Sequence, residues 1–173
     1  MASSAGFRSP DTSASMPPSS PPLEGENLGT YTVRCHCGRI SGRFLCDRTS
    51  VTAWDCNCTD CSMRRNVHII VPSSRLTLTM GKGEEGGSLE DSSILYRWGT
   101  GVAERRFCRT CGVLPFYVPR SNPDGVAITV ACCDFGGDRG GPEVTVKQFD
   151  GRNWERSYAA AGIAAESESP SES

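Results

Sequence analysis

The chain has 173 residues, 37% of them hydrophobic and 8% aromatic, with a net charge of −2. That length suits one domain, and so small a net charge gives no strong nucleic-acid signal. No apolar run approaches the roughly 18 residues that cross a bilayer, and none of signal-peptide type stands at the N-terminus. A cytoplasmic protein is therefore expected, with the nucleus as the alternative and no membrane partner.

Residues 1–29 are rich in Ser and Pro, with Pro17-Pro18-Ser19-Ser20-Pro21-Pro22 at their centre. This composition predicts a disordered or polyproline segment. A transit peptide competes with that reading, but Arg8 is its one base, and Asp11, Glu24 and Glu26 oppose it. Residues 161–173 read as a disordered acidic tail. The folded domain is then 30–160, which carries 17 of the 18 Lys and Arg but 14 of the 20 Asp and Glu.

Within the domain the hydrophobic period is mostly two. Thr30–Arg34 and Arg39–Leu45 read as a hairpin. Val67–Val71 is a short apolar strand stopped by Pro72, and Arg75–Met80 alternates cleanly. Gly81–Ser88 is a Gly/Glu loop. Ile94–Trp98 and Val102–Phe107 flank Gly99-Thr100-Gly101, a second hairpin signal. Val113–Val118, Val126–Ala131 and Val144–Phe149 complete the strands. Helix is confined to about one turn after Cys61 and a short segment from Asn153 to Ala160. Many short strands with turn signals predict a mainly β fold, a sandwich or barrel.

Ten cysteines stand against two histidines. Without a signal peptide, that pattern predicts metal binding rather than disulfides. Cys56, Cys58 and Cys61 form a C-x-C-x-x-C tripod for a borderline metal such as zinc. Cys35 and Cys37 form C-x-C before Gly38. Cys108 and Cys111 form C-x-x-C before Gly112. The two pairs together make a closed four-thiolate site, which should be structural. In the other partition Cys35 and Cys37 join the tripod and leave Cys108 and Cys111 open. Spacing leaves equally open whether the tripod is closed, by His68, Cys132 or Cys133, or keeps a vacant position. Cys46 reads as a core cysteine, and Cys132-Cys133 as a pair pointing to opposite sides of a strand.

The order Cys35-His36-Cys37-Gly38, Asp55–Cys61, Val67–Pro72, Phe107–Val113, Phe116–Pro123 and Phe149–Glu155 resembles the glutathione-dependent formaldehyde-activating enzyme (GFA) family. Within it, the nearest likeness is to the centromere protein V branch. The resemblance covers residues 30–158. It implies a β-tent fold, two zinc ions per chain, a structural site at Cys35, Cys37, Cys108 and Cys111, and a catalytic one at Cys56, Cys58 and Cys61. The implied activity is that of a carbon–sulfur lyase, an S-(hydroxymethyl)glutathione synthase, with glutathione or another small thiol as partner. The alternative is a non-catalytic zinc-stabilised β module that binds a protein partner, as in the microtubule- and chromatin-associated branch. That branch carries long basic extensions, whereas residues 1–29 hold one Arg and no Lys.

If the chain is an enzyme, a thiol sulfur takes the open position and attacks an aldehyde carbon. Three thiolates over-neutralise a zinc dication and leave it suited to a soft fourth ligand. Arg64, Arg65 or a knuckle amide is the expected oxyanion donor, and His68 a proton shuttle. Against these stand plainer readings: His68 as a packed strand residue, His36 as solvent-facing, Arg64-Arg65 as a solvated pair. Arg120–Pro123 reads as a turn, and Phe116, Tyr117, Trp54, Trp98 and Trp154 as core or rim aromatics.

Overall fold

The computed structural model describes residues 27–80, 87–136 and 140–167. Most of the 1–29 segment, most of the 81–88 loop and residues 168–173 of the tail thus lie outside the described residues, whereas Leu28 and Gly29 belong to the first strand and 161–167 are ordered, against the disorder expected for them. Eleven strands and three short α-helices are present among those described. No helix among them is long and apolar enough to cross a membrane.

Strands β1 (Leu28–Arg34), β2 (Ile40–Asp47), β5 (Leu76–Met80) and β10 (Cys133–Asp134) form one sheet in the order β10-β1-β2-β5. The expected first hairpin is there, with Arg34 opposite Ser41 and Leu28 opposite Asp47. The second sheet has seven strands. They are β3 (Ser50–Cys56), β4 (Val67–Pro72), β6 (Ser93–Tyr96), β7 (Glu104–Cys108), β8 (Phe116–Val118), β9 (Gly125–Thr129) and β11 (Glu143–Phe149), in the order β11-β3-β4-β9-β8-β7-β6. Every pairing is antiparallel except β11 with β3, where Phe149 lies beside Cys56.

The centre of the large sheet is buried on both faces, which explains why β4 and β9 read as near-continuous apolar runs, while its edge strands β6 and β11 are largely exposed. On β4, Ile69 and Val71 join a core with Val33, Ile40 and Phe44 of the small sheet. Ile70, on the opposite face, packs with Trp54, Tyr117 and Phe149. The alternation that places one residue up and the next down thus serves two cores rather than a core and solvent. The result is a mainly β molecule of two packed sheets, as the sequence predicts.

Helix α1 (Thr59–Arg64) begins before Cys61 rather than after it, because Cys58 supplies the N-cap. Helix α2 (Leu89–Ser92) is a single turn with a Ser88 cap. Helix α3 (Trp154–Ala161) falls where the sequence places it. The packed chain runs past the expected boundary at 160. A 3-10 turn at Ile163–Ser167 follows α3, and both its end residues are buried. The buried Asn122 carboxamide holds that turn, donating to the carbonyls of Ile163 and Ala164, each at 3.0 Å, and to Ser167 Oγ at 2.9 Å. Arg120–Pro123 is therefore an anchor as well as a turn.

Candidate functional site

Cys35 and Cys37 follow β1, while Cys108 closes β7 and Cys111 follows it. Their four sulfurs lie within 4.8 Å of one another. Cys35 and Cys37 are 3.6 Å apart, and Cys37 and Cys108 3.5 Å. A tetrahedral zinc with bonds near 2.3 Å spaces its sulfurs at about 3.8 Å, so the cluster is the right size for one ion. The Ile40 amide donates to Cys35 Sγ at 3.3 Å. Gly38 and Gly112 turn the two knuckles at φ 78° and 72°, a region glycine enters at least cost. Burial acts to raise the Cys111 thiol, but hydrogen bonds from the backbone amides of Cys37 and Val113 outweigh it and lower it to about 6. Because β1 and β7 belong to different sheets, this cluster joins the sheets. Of the two partitions left open by spacing, this is the one that pairs Cys35 and Cys37 with Cys108 and Cys111.

Cys56 ends β3, Cys58 caps α1 and Cys61 lies inside it. These three sulfurs also lie within 4.8 Å of one another, and no fourth Cys, His, Asp or Glu among the described residues joins them. The amides of Cys58 and Cys61 each donate to the preceding cysteine's sulfur at 3.5 Å. Hydrogen bonds from Cys56 and Cys61 lower the Cys58 thiol; the bond with Cys58 is the leading cause that raises Cys56, and the bond with Cys56 the leading cause that raises Cys61. The three soft donors fit zinc, and the knuckle amides turn toward sulfur as such a site requires.

Residues 149–153 floor the tripod. The Asn57 amide donates to the Phe149 carbonyl at 3.1 Å, and the Asn57 carboxamide to Asp150 Oδ1 at 2.9 Å. Gly151 approaches so closely that a β-carbon there would stand 2.4 Å from Cys56 Sγ.

Beside the tripod is a cavity of about 270 Å³. The three cysteines form part of its wall. Trp54, Trp98, Tyr117, Phe149 and Trp154 give it an aromatic lining, and His68, Arg105 and Ser121 are its buried polar residues. His68 shares a hydrogen bond with the Tyr117 hydroxyl, 3.2 Å from Nε2. Burial is the main cause that pushes His68 down to about 4 and Tyr117 well above the usual phenol value. Both are neutral at physiological pH, which does not suit His68 as a proton shuttle.

The other expected helpers lie elsewhere. Cys132 and Cys133 pack against the core between the sheets, where Cys133 Sγ bonds the Thr129 carbonyl at 3.4 Å. Cys46 is buried in that same core. His36 is exposed. Arg65 is exposed and caps α1 in a left-handed conformation at φ 53°. Arg64 pairs with Asp60 at 2.5 Å and lies over the Phe107 ring at 4.1 Å. Neither arginine lines the cavity.

Arg105 does, and sequence reasoning overlooks it. Its Nε meets Asp60 Oδ2 at 2.5 Å, and both side chains are buried. Its guanidinium sits 5.3 Å from the Tyr117 ring and 5.7 Å from that of Trp98. Asp60 lies between Cys58 and Cys61, so the cysteine motif itself positions the arginine. The available signal was alternation: Ala103, Arg105 and Phe107 share one face of the strand, and that face is inward.

The model of the glutathione-dependent formaldehyde-activating enzyme family matches residues 30–149. A crystal structure of a Rhodobacter sphaeroides protein is 26% identical over 66% of this chain and 99% of that one, with a TM-score of 0.48. With the family match spanning more than half its length and both cysteine groups inside the matched residues, the chain belongs to the glutathione-dependent formaldehyde-activating enzyme family.

Proposed function

We propose that the chain is a carbon–sulfur lyase of the S-(hydroxymethyl)glutathione synthase type, with zinc at both cysteine groups. Cys35, Cys37, Cys108 and Cys111 would hold a structural ion, and Cys56, Cys58 and Cys61 a catalytic one. The contrast between the groups carries the reading: four sulfurs lock two sheets together, whereas three sulfurs line a cavity. The cavity also favours this reading over a non-catalytic module for a protein partner. Zinc bound by three thiolates supplies a place for a fourth sulfur and holds it as thiolate at neutral pH.

The chain's own residues provide the remainder. The aromatic wall keeps water from the reacting atoms and strengthens every dipole aimed at them. The thiol leaves its proton to solvent as it binds; its sulfur then bonds to the aldehyde carbon, the carbonyl π pair moves to oxygen, and that oxygen is protonated from solvent as the adduct leaves. Tyr117 donates a hydrogen bond to that oxygen and keeps its own proton. With the His68 proton on Nε2, His68 donates to the phenol oxygen and leaves the phenol proton free for the substrate. The reverse sequence releases the aldehyde.

Two variants test the assignment. Cys58→Ser should abolish turnover of glutathione with formaldehyde while the fold and one zinc remain. Cys108→Ser should prevent folding, because a closed thiolate site contributes roughly 10 kcal/mol or more in small domains. Metal analysis and circular dichroism read both. An unfolded Cys58→Ser protein would make the tripod structural and refute the proposal.

A further inference from the structure

The cavity is larger and more apolar than formaldehyde needs. Formaldehyde is about the size of one water, whose share of liquid volume is roughly 30 Å³. The cavity measures about 270 Å³, whereas an apolar cavity of about 150 Å³ already takes benzene. Its wall is largely aromatic. Trp54 meets Phe149 edge-on at 6.2 Å, Phe149 meets Trp154 at 6.5 Å, and Ala103 and Ile163 add aliphatic surface. Of its buried polar groups, His68 is paired with Tyr117 and Arg105 with Asp60. Glutathione carries carboxylates, an ammonium group and amides, and burying those without partners is costly. The peptide therefore stays at the rim and sends its CH2–SH arm to the three sulfurs, which leaves the aromatic interior to the other reactant.

We infer that the aldehyde this site takes bears an aromatic ring or an equally bulky apolar group, and that Trp54, Phe149, Trp154 and Ala103 form the wall that selects it. This rests on the reading of the tripod as the thiol-binding site and adds the aldehyde's class to it. The bond changes stay the same: the sulfur–carbon bond forms, the carbonyl π pair moves to oxygen, the thiol proton goes to solvent and the oxygen takes one from solvent. No oxidant, reductant or leaving group is required. A ring seated in the cavity leaves water and meets the edges and faces of the wall's own rings. A methyl group in its place leaves most of that space unfilled.

The test compares pairs that differ only by a phenyl ring, on the full-length, zinc-loaded protein. Calorimetry with the inert thioethers S-ethylglutathione and S-(2-phenylethyl)glutathione requires no turnover. The phenylethyl compound should bind at least tenfold more tightly, since a single methylene in an apolar pocket is already worth about tenfold or more. With glutathione as the thiol, KM should be at least tenfold lower for phenylacetaldehyde than for acetaldehyde, a carbonyl of similar reactivity. Ala103→Leu, which extends a larger side chain from the cavity wall, should lose both preferences. Equal wild-type affinities for the two thioethers overturn the inference, and that comparison needs no variant to fold. So does an Ala103→Leu protein that retains its zinc and the full preference, since the ring would then sit outside the cavity. Failure of glutathione itself to bind the wild type overturns the tripod reading, and the inference with it.

Discussion

Gly151 and Cys56 approach so closely that no β-carbon fits between them: one built on Gly151 would lie 2.4 Å from the Cys56 sulfur and 2.8 Å from Cys58 Cβ. The glycine is needed for space, since its neighbours are backbone and sulfur that cannot swing aside. Gly151→Ala should push Cys56 out of the tripod. The expected cost is about 1–3 kcal/mol from overpacking, with one zinc lost of two. Metal content and a melting curve check it, and two retained zinc ions would show that the floor yields.

Asp60 bridges two arginines from inside the cysteine motif. Asp60→Asn leaves a buried guanidinium without its counter-charge. The expected loss is about 3–5 kcal/mol, the usual result of removing one partner from a buried pair. Denaturant unfolding measures it. A change under 1 kcal/mol would mean that water reaches Arg105 freely.

His68 gives the fold a pH dependence of known sign. In an unfolded chain it takes a proton near pH 6.5; in the fold, burial lowers that to about 4. Between these values the unfolded chain binds a proton that the folded chain does not, so stability falls as pH drops through the window. At 1.36 kcal/mol per unit the whole step is about 3 kcal/mol. His68→Gln should remove it. Unfolding at pH 7 and pH 4.5, wild type against variant, isolates this step from acid effects on the cysteines, which both proteins share. Identical pH 7 to pH 4.5 differences would refute it.

Asn122 makes three bonds to the 3-10 turn that carries Ile163 to the cavity wall. Asn122→Ala should cost about 1–3 kcal/mol, since it leaves buried carbonyls unsatisfied. It should also weaken thiol binding, because the wall near Ile163 loosens. Limited proteolysis would show earlier cleavage after residue 160. Unchanged cleavage would mean that Ile163 alone anchors the turn.

What the sequence revealed follows the range of each interaction. Cysteine spacing is local, so the tripod, the two knuckle pairs and their glycine turns can be read directly, and the two hairpins likewise; which pairs share a site spans 71 positions and needed the fold. Strand β3 was overlooked, although Trp54 and Cys56 lie on it. Its residues Ser50–Cys56 lack clean alternation, and the strand that pairs along their whole length, β11, lies 93 positions downstream. Arg105 looks like a solvent-facing member of a charged run until Asp60 is placed against it. Cys132 and Cys133 looked available to the tripod, but the sheet order puts them in the other core. The C-terminal turn has too little apolar content to signal packing. Its anchor is one carboxamide far upstream.

The parallel pairing of β11 with β3 also sets an order of assembly. All the sulfurs of the closed cluster have left the ribosome once residue 111 emerges, so the two sheets can be clamped while synthesis continues. The tripod sulfurs are made still earlier, by residue 61, but Gly151, Trp154 and Ile163 arrive last. For much of its synthesis the chain therefore carries the three sulfurs without their floor and part of the cavity wall. Truncation after residue 149 is the nascent-chain state made permanent: all seven cluster cysteines are present, but Gly151, Trp154 and Ile163 are missing from the cavity beside the second cluster.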